Sequence, residues 1–138
     1  MLTDGAGIPL GVAVDGANRP DMKMAKSTLQ STPVKRPKVT NKRPQHLCLD
    51  AGYDYDEVRE LLDDWGFTAH IRPRSAEAEA KKRIPGYRAR RWVVERTHSW
   101  LNRFRRLLIR WEKKVENYLA MLHFACAWIT FRAADVFG

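Results

Sequence analysis

The chain has 138 residues, of which 44% are hydrophobic and 30% charged; this make-up suits one globular domain with a real core and excludes a disordered or fibrous chain. Its net charge is +9, and Arg88 to Lys114 holds ten Lys or Arg against Glu95 and Glu112, so the excess is local and points to a nucleic-acid partner more than a high pI alone would. A membrane partner is not expected, because the N-terminus carries Asp4 with no cationic start and the best apolar run, Leu119 to Phe131, is short and contains His123.

In chain order, Met1 to Val14 reads as two short strands, MLT and IPLGVAV, joined by the turn DGAG. The strand pattern is under way at the first residues, which suggests a natural domain beginning upstream. Asp15 to Arg19 is a turn rich in Gly and Asn, and Asp15 is read as a turn residue. Asp21 can cap a helix over Met22 to Ser31, with Met24, Ala25, Thr28 and Leu29 inward and Pro33 ending it. Val34 to Gln45, with two prolines and no period, reads as a basic surface linker rather than a DNA contact, since no aromatic is interleaved for stacking.

His46 to Leu49 reads as a short apolar strand closed by Asp50. A carboxylate there, followed by the Gly52 turn, can cap that turn or point into a crevice at the carboxyl end of the strand. Asp54 and Glu57 make a capping-box-like start to a helix from Tyr55 to Trp65, with Val58, Leu61, Leu62 and Trp65 buried. Gly66 stops it and Phe67 to Ile71 forms another strand. Residues 72–87 are a charged linker with Pro73, Pro85 and Gly86. Cys48 and Cys126 sit in apolar stretches without zinc-site spacing and read as reduced core thiols of a cytosolic protein.

The main helix is expected over Arg88 to Trp111. Val93, Thr97, Trp100, Phe104, Leu107 and Trp111 recur at steps of three and four, the spacing of one buried face. The opposite face gathers Arg88, Arg91, Glu95, Asn102 and Arg106, with His98 at its margin. Glu95 is either a surface partner of Arg91, contributing a few tenths of a kcal/mol, or a metal ligand beside a DNA phosphate held by the arginines. Beyond it, Leu119 to Phe131 is apolar almost all round, as in a helix packed inside a domain.

The order of elements is that of an α/β domain with helices on a mixed sheet. LTDGAGIPLGVAVDGANRPD, LCLDAGYD and RRWVVERTHSWLNRFRRL together resemble the catalytic region of DDE transposases of the bacterial insertion sequences, family five, and the resemblance runs over nearly the whole chain. It implies an RNase H-like mixed sheet flanked by helices, in which three acidic residues hold two divalent ions, Mg²⁺ or Mn²⁺. Asp50 then takes the place of the second aspartate and Glu95 that of the glutamate. Within the family signature of Tyr, two residues, Arg, three residues, Glu, six residues and Lys, Arg91 and Glu95 match, whereas Arg88 stands at the Tyr position and Asn102 at the Lys position. Ala51 replaces a commonly found Lys.

The first aspartate belongs to a strand upstream of MLT, so the resemblance makes residues 1–138 a partial catalytic domain, truncated at its first strand and weak or inactive alone. It also implies binding of insertion-sequence ends and target DNA through Arg88, Arg91, Asn102, Arg103 and Arg106, a homo-oligomer or association with an intact transposase, and a nucleoid-associated place in the bacterial cytoplasm. A non-catalytic DNA-binding or oligomerising remnant that regulates an intact transposase is the alternative.

Overall fold

The computed structural model of the chain describes residues 1–16, 18–71, 92–109 and 111–135. Within them lie β1 (Leu2–Thr3), β2 (Pro9–Gly11), α1 (Ala25–Gln30), β3 (Gln45–Leu49), α2 (Asp56–Asp64), β4 (Phe67–Ile71), α3 (Trp92–Leu101), α4 (Arg105–Leu108) and α5 (Val115–Ala133). They belong to two compact units, one of Met1–Val14, Thr28–Pro33 and Trp92–Gly138, the other of Asp15–Ser27 and Val34–Arg91. The expected linker over residues 72–87 lies outside the described residues.

In the first unit β1 and β2 form an antiparallel hairpin. Its turn is fixed by Asp4, whose carboxylate accepts from Ala6 N at 2.9 Å and Ile8 N at 2.8 Å. Helix α5 packs on β2, α3 and α4, and α3 also packs on β1. The core is Val12, Leu101, Leu122 and Ala125, with Met1, Phe104, Leu107, Tyr118, Cys126 and Ile129 against it. Burial pushes the Cys126 thiol up, in keeping with an unreactive core cysteine.

The single long helix expected from Arg88 to Trp111 is two helices among the described residues. The chain leaves α3 through hydrogen bonds from Arg103 N to Trp100 O and Phe104 N to Leu101 O, and Phe104 is extended (φ −84°, ψ 98°). That turn lets Phe104 and Leu107 both reach the α5 core, and packing outweighs helix propensity. After α4 the phase of the apolar stripe is lost, which leaves Trp111 69% exposed. Helix α5 departs from expectation too, since Phe124, Trp128 and Phe131 are exposed rather than enclosed.

In the second unit β3 and β4 are parallel, with Leu47 opposite Ala69 and Leu49 opposite Ile71. One face carries exposed His46, Cys48, Thr68 and His70, so Cys48 is not the core residue expected. The His46 and His70 rings meet there, with Nδ1 and Nε2 2.9 Å apart. Helix α2 packs on β4 and buries Val58 and Leu62, as its spacing required. Asp54 does not cap α2. The helix begins at extended Tyr55 with no side-chain cap, and Asp54 instead accepts from Arg59 Nε at 3.1 Å. Asp21 likewise opens a 3₁₀ turn without capping it, although Ala25 and Leu29 are buried as expected. In the basic loop Arg36 is a structural residue: its guanidinium lies 4.0 Å from the Phe67 ring centroid and donates to the Trp65 carbonyl.

The described strands thus make two two-stranded sheets instead of one mixed sheet. The composition is α/β as expected, and among the described residues β1 pairs only with β2 and β3 only with β4.

Gly66 ends α2 at φ +69°, where a side chain costs roughly 1–2 kcal/mol. Gly66→Ala should lower the unfolding free energy by about 1 kcal/mol. Gly5→Ala, with open space at its Cβ, should change it by less than about 0.5 kcal/mol. Urea titrations of both variants check the contrast, and equal costs would refute the conformational account.

Candidate metal and nucleic-acid site

Asp50 is exposed at the carboxyl end of parallel strand β3. Its Oδ1 accepts from Gly52 N at 2.9 Å and so caps the 3₁₀ turn Ala51–Tyr53. The capping reading is therefore correct, and it occupies one carboxylate oxygen only, leaving the other for a ligand. Tyr53 stands beside it. Burial raises the phenol, and the negative charges of Asp21 and Asp50 raise it further, so it remains a neutral hydroxyl next to two carboxylates. Sequence reasoning had not associated Asp21 with this turn.

Glu95 is exposed in the first turn of α3. Thr97, 200° further round an ideal helix, is fully buried, so the back-to-back arrangement of polar and core faces holds within α3. Arg88 and Arg91 lie outside the described residues. Asn102 and Arg103 are exposed in the turn after α3, and Arg106 is exposed on α4, so Arg106 does not share one helix face with Glu95. Its Nη1 is 3.7 Å from Glu112 Oε1, with the arginine side chain exposed and the glutamate side chain largely covered; so long a contact at an exposed guanidinium is weak.

Asp15 is a turn residue. Its Oδ1 accepts from Gly16 N at 2.7 Å, its other oxygen faces Arg19, and the Gly16 hydrogen bond, opposed by desolvation and helped by Arg19, holds the carboxyl below the usual range.

Asp50 and Glu95 belong to different units. As exposed carboxylates they fit a hard divalent cation in donor chemistry. In number they are short of a full set, since no group of three or more His, Cys, Asp or Glu able to share an ion occurs among the described residues.

The family described as transposase DDE domain matches residues 47–132, an interval that contains both carboxylates. The chain is 36% identical over 140 residues to a protein of Burkholderia cepacia named as a transposase for insertion sequence element IS402, covering 98% of this chain and 64% of that protein. It is 26% identical over 132 residues to a protein of Brucella ovis named as a transposase for insertion sequence element IS6501, covering 95% of each. No solved structure matches the chain. No helix among the described residues is long and apolar enough to cross a membrane.

Proposed function

Because the chain belongs to the DDE-domain transposases of insertion sequences, we propose that it takes part in metal-dependent cleavage and transfer of DNA strands at insertion-sequence ends. The observation that carries this reading is the family match spanning Asp50 and Glu95 together, with Asp50 exposed just past a parallel strand, where ligand sites of α/β sheets gather.

Asp50 and Glu95 would supply hard oxygens to Mg²⁺ or Mn²⁺, two ions in the complete site. Such ions activate the attacking water or 3′-hydroxyl and neutralise the leaving oxygen of a phosphodiester. The Gly52 hydrogen bond orients the Asp50 carboxylate in the absence of any ion, and would hold it in place for one. Arg103 and Arg106, with Asn102, Arg88 and Arg91, of which Arg91 matches the family signature, would hold the DNA backbone. A phosphate reaching Arg106 replaces Glu112, so that contact adds less than one to a solvated arginine.

The RNase H-like arrangement needs a third carboxylate, which the resemblance puts on a strand preceding β1. On this view residues 1–138 are the later part of a catalytic domain, residues 72–87 link Asp50's unit to α3, and the chain acts as a homo-oligomer or with an intact transposase on nucleoid DNA.

Two measurements test the reading. Affinity for duplex DNA should fall with salt, and Arg103→Gln plus Arg106→Gln should reduce the log–log slope by about 0.9 for each lost phosphate contact. The chain joined to its upstream segment should nick supercoiled plasmid in Mg²⁺ and not in EDTA. Salt-dependent binding with no nicking in either form would favour the non-catalytic DNA-binding remnant, and an unaltered slope would return the arginines to a solvated surface.

A further inference from the structure

Between Glu95 and the rest of the basic segment stand two residues with a different task. The Thr97 hydroxyl lies 2.6 Å from the Gly7 carbonyl oxygen and 3.1 Å from that of Val93. The first contact joins α3 to the β1–β2 turn across 90 residues of sequence. Thr97 is fully buried, so its donor has no water to fall back on. Arg96 reaches the same turn, its Nη2 donating to the Ala6 carbonyl. Its guanidinium is 4.7 Å from the Trp92 ring centroid and 5.2 Å from that of Trp100, residues four before and four after it on one helix face. Its Nε is buried without a hydrogen-bond partner, a cost met by the two rings.

The turn is shaped to receive these groups. Gly7 is at φ +83°, and a Cβ there would come within 3.2 Å of Thr97 Oγ1 and of the Val93 carbonyl, and within 3.3 Å of Arg96 Nε.

We propose that Arg96 and Thr97 are positioning residues: they lock the backbone of α3 to the Ala6–Gly7 carbonyls so that Glu95, exposed on the other side, has a fixed place, and Arg96 is thereby withdrawn from DNA although it lies in the basic segment. The first half rests on the reading of Glu95 as a metal ligand; the second does not. A free guanidinium would gain a phosphate, but this one is already bonded to a backbone carbonyl and stacked on two indoles. Moving it would abandon three contacts for one.

The test uses the full chain, with Mn²⁺ alone as probe, followed by water proton relaxation at a temperature where circular dichroism shows every variant folded. Glu95→Gln should abolish the Glu95-dependent binding. Thr97→Val, which keeps the shape and removes the donor, should weaken it about 10-fold or more, the effect of losing a support behind a metal ligand, and Thr97→Ser should restore it. Loss with Glu95→Gln but none with Thr97→Val overturns the positioning role alone. Binding indifferent to Glu95→Gln, or absent from the unmodified chain, overturns the metal reading and the positioning role with it. Arg96 is decided separately through the salt slope of DNA binding. Arg96→Met, whose unbranched stem still fits between Trp92 and Trp100, should leave the slope unchanged where Arg103→Gln flattens it. Equal flattening would place Arg96 on DNA.

Discussion

Under the proposed function, Asp50→Asn and Glu95→Gln are each expected to lower Mg²⁺-dependent nicking at least about 100-fold, measured on this chain extended by the first-aspartate strand that the proposal requires. Ions in such a site contribute several kcal/mol of transition-state stabilisation, and each 1.36 kcal/mol is a factor of ten in rate. The substitutions are chosen for what they keep. Asn retains an oxygen able to accept from Gly52 N, so the Ala51–Tyr53 turn survives and only the charged ligand is lost. Gln is about as good a helix former as Glu, and position 95 is exposed, so α3 should be undisturbed. DNA affinity should stay within about three-fold, because neither change removes a phosphate-binding cation. Nicking that persists in either variant removes that residue from the proposed metal site.

Leu62→Ala should cost about 3 kcal/mol of stability. Leu62 is fully buried on the α2 face that packs against β4, and truncating such a side chain loses both its transfer free energy and the packing around the cavity left behind. Domains of this size are stable by only about 5–15 kcal/mol, so the loss is a large fraction of the total. Glu60→Ala, at an exposed position of the same helix, should move the urea midpoint by the equivalent of less than about 0.5 kcal/mol. A cost below about 1 kcal/mol at Leu62 would mean that α2 is not anchored through that face.

The two helical faces that matter most were legible in different degrees. For α2 the spacing of Val58, Leu61, Leu62 and Trp65 found the inward face, with Val58 and Leu62 buried and Leu61 and Trp65 half-buried, because a short amphipathic helix on one strand meets a single apolar surface. For the basic segment the same arithmetic picked out Thr97, Phe104 and Leu107 on the core side and failed at Trp111, and the unbroken helix it assumed stops at Leu101. Periodicity describes a helix only while it continues, and the break at Phe104 serves a core built from α5, whose residues come later in the chain. Capping failed similarly at Asp54, where the Arg59 guanidinium competes for the carboxylate.

Asp50 was identifiable as the residue closing a strand, and Glu95 as a lone carboxylate within an arginine-rich stretch. Nothing local marked Arg96 as different from its neighbours, since an arginine between Glu95 and Thr97 has the same composition whether it faces phosphate or two indoles. Thr97 had a signal, a hydroxyl inside an apolar stripe, but not a partner. Its acceptor is a carbonyl 90 residues away.

What the sequence by itself determined is what depends on near neighbours: the α/β order of elements, the strand at Phe67–Ile71, the αL stop at Gly66, the inward faces of α2 and α3, and the concentration of positive charge between Arg88 and Lys114. The tertiary structure alone decided where α3 ends, that Cys48 lies on an exposed sheet face, that Phe124 and Trp128 are left uncovered, and which arginine is spent on the fold. These depend on what another part of the chain presents. A side chain's nearest neighbours in sequence fix its direction, whereas its energy is set by the groups that direction happens to meet.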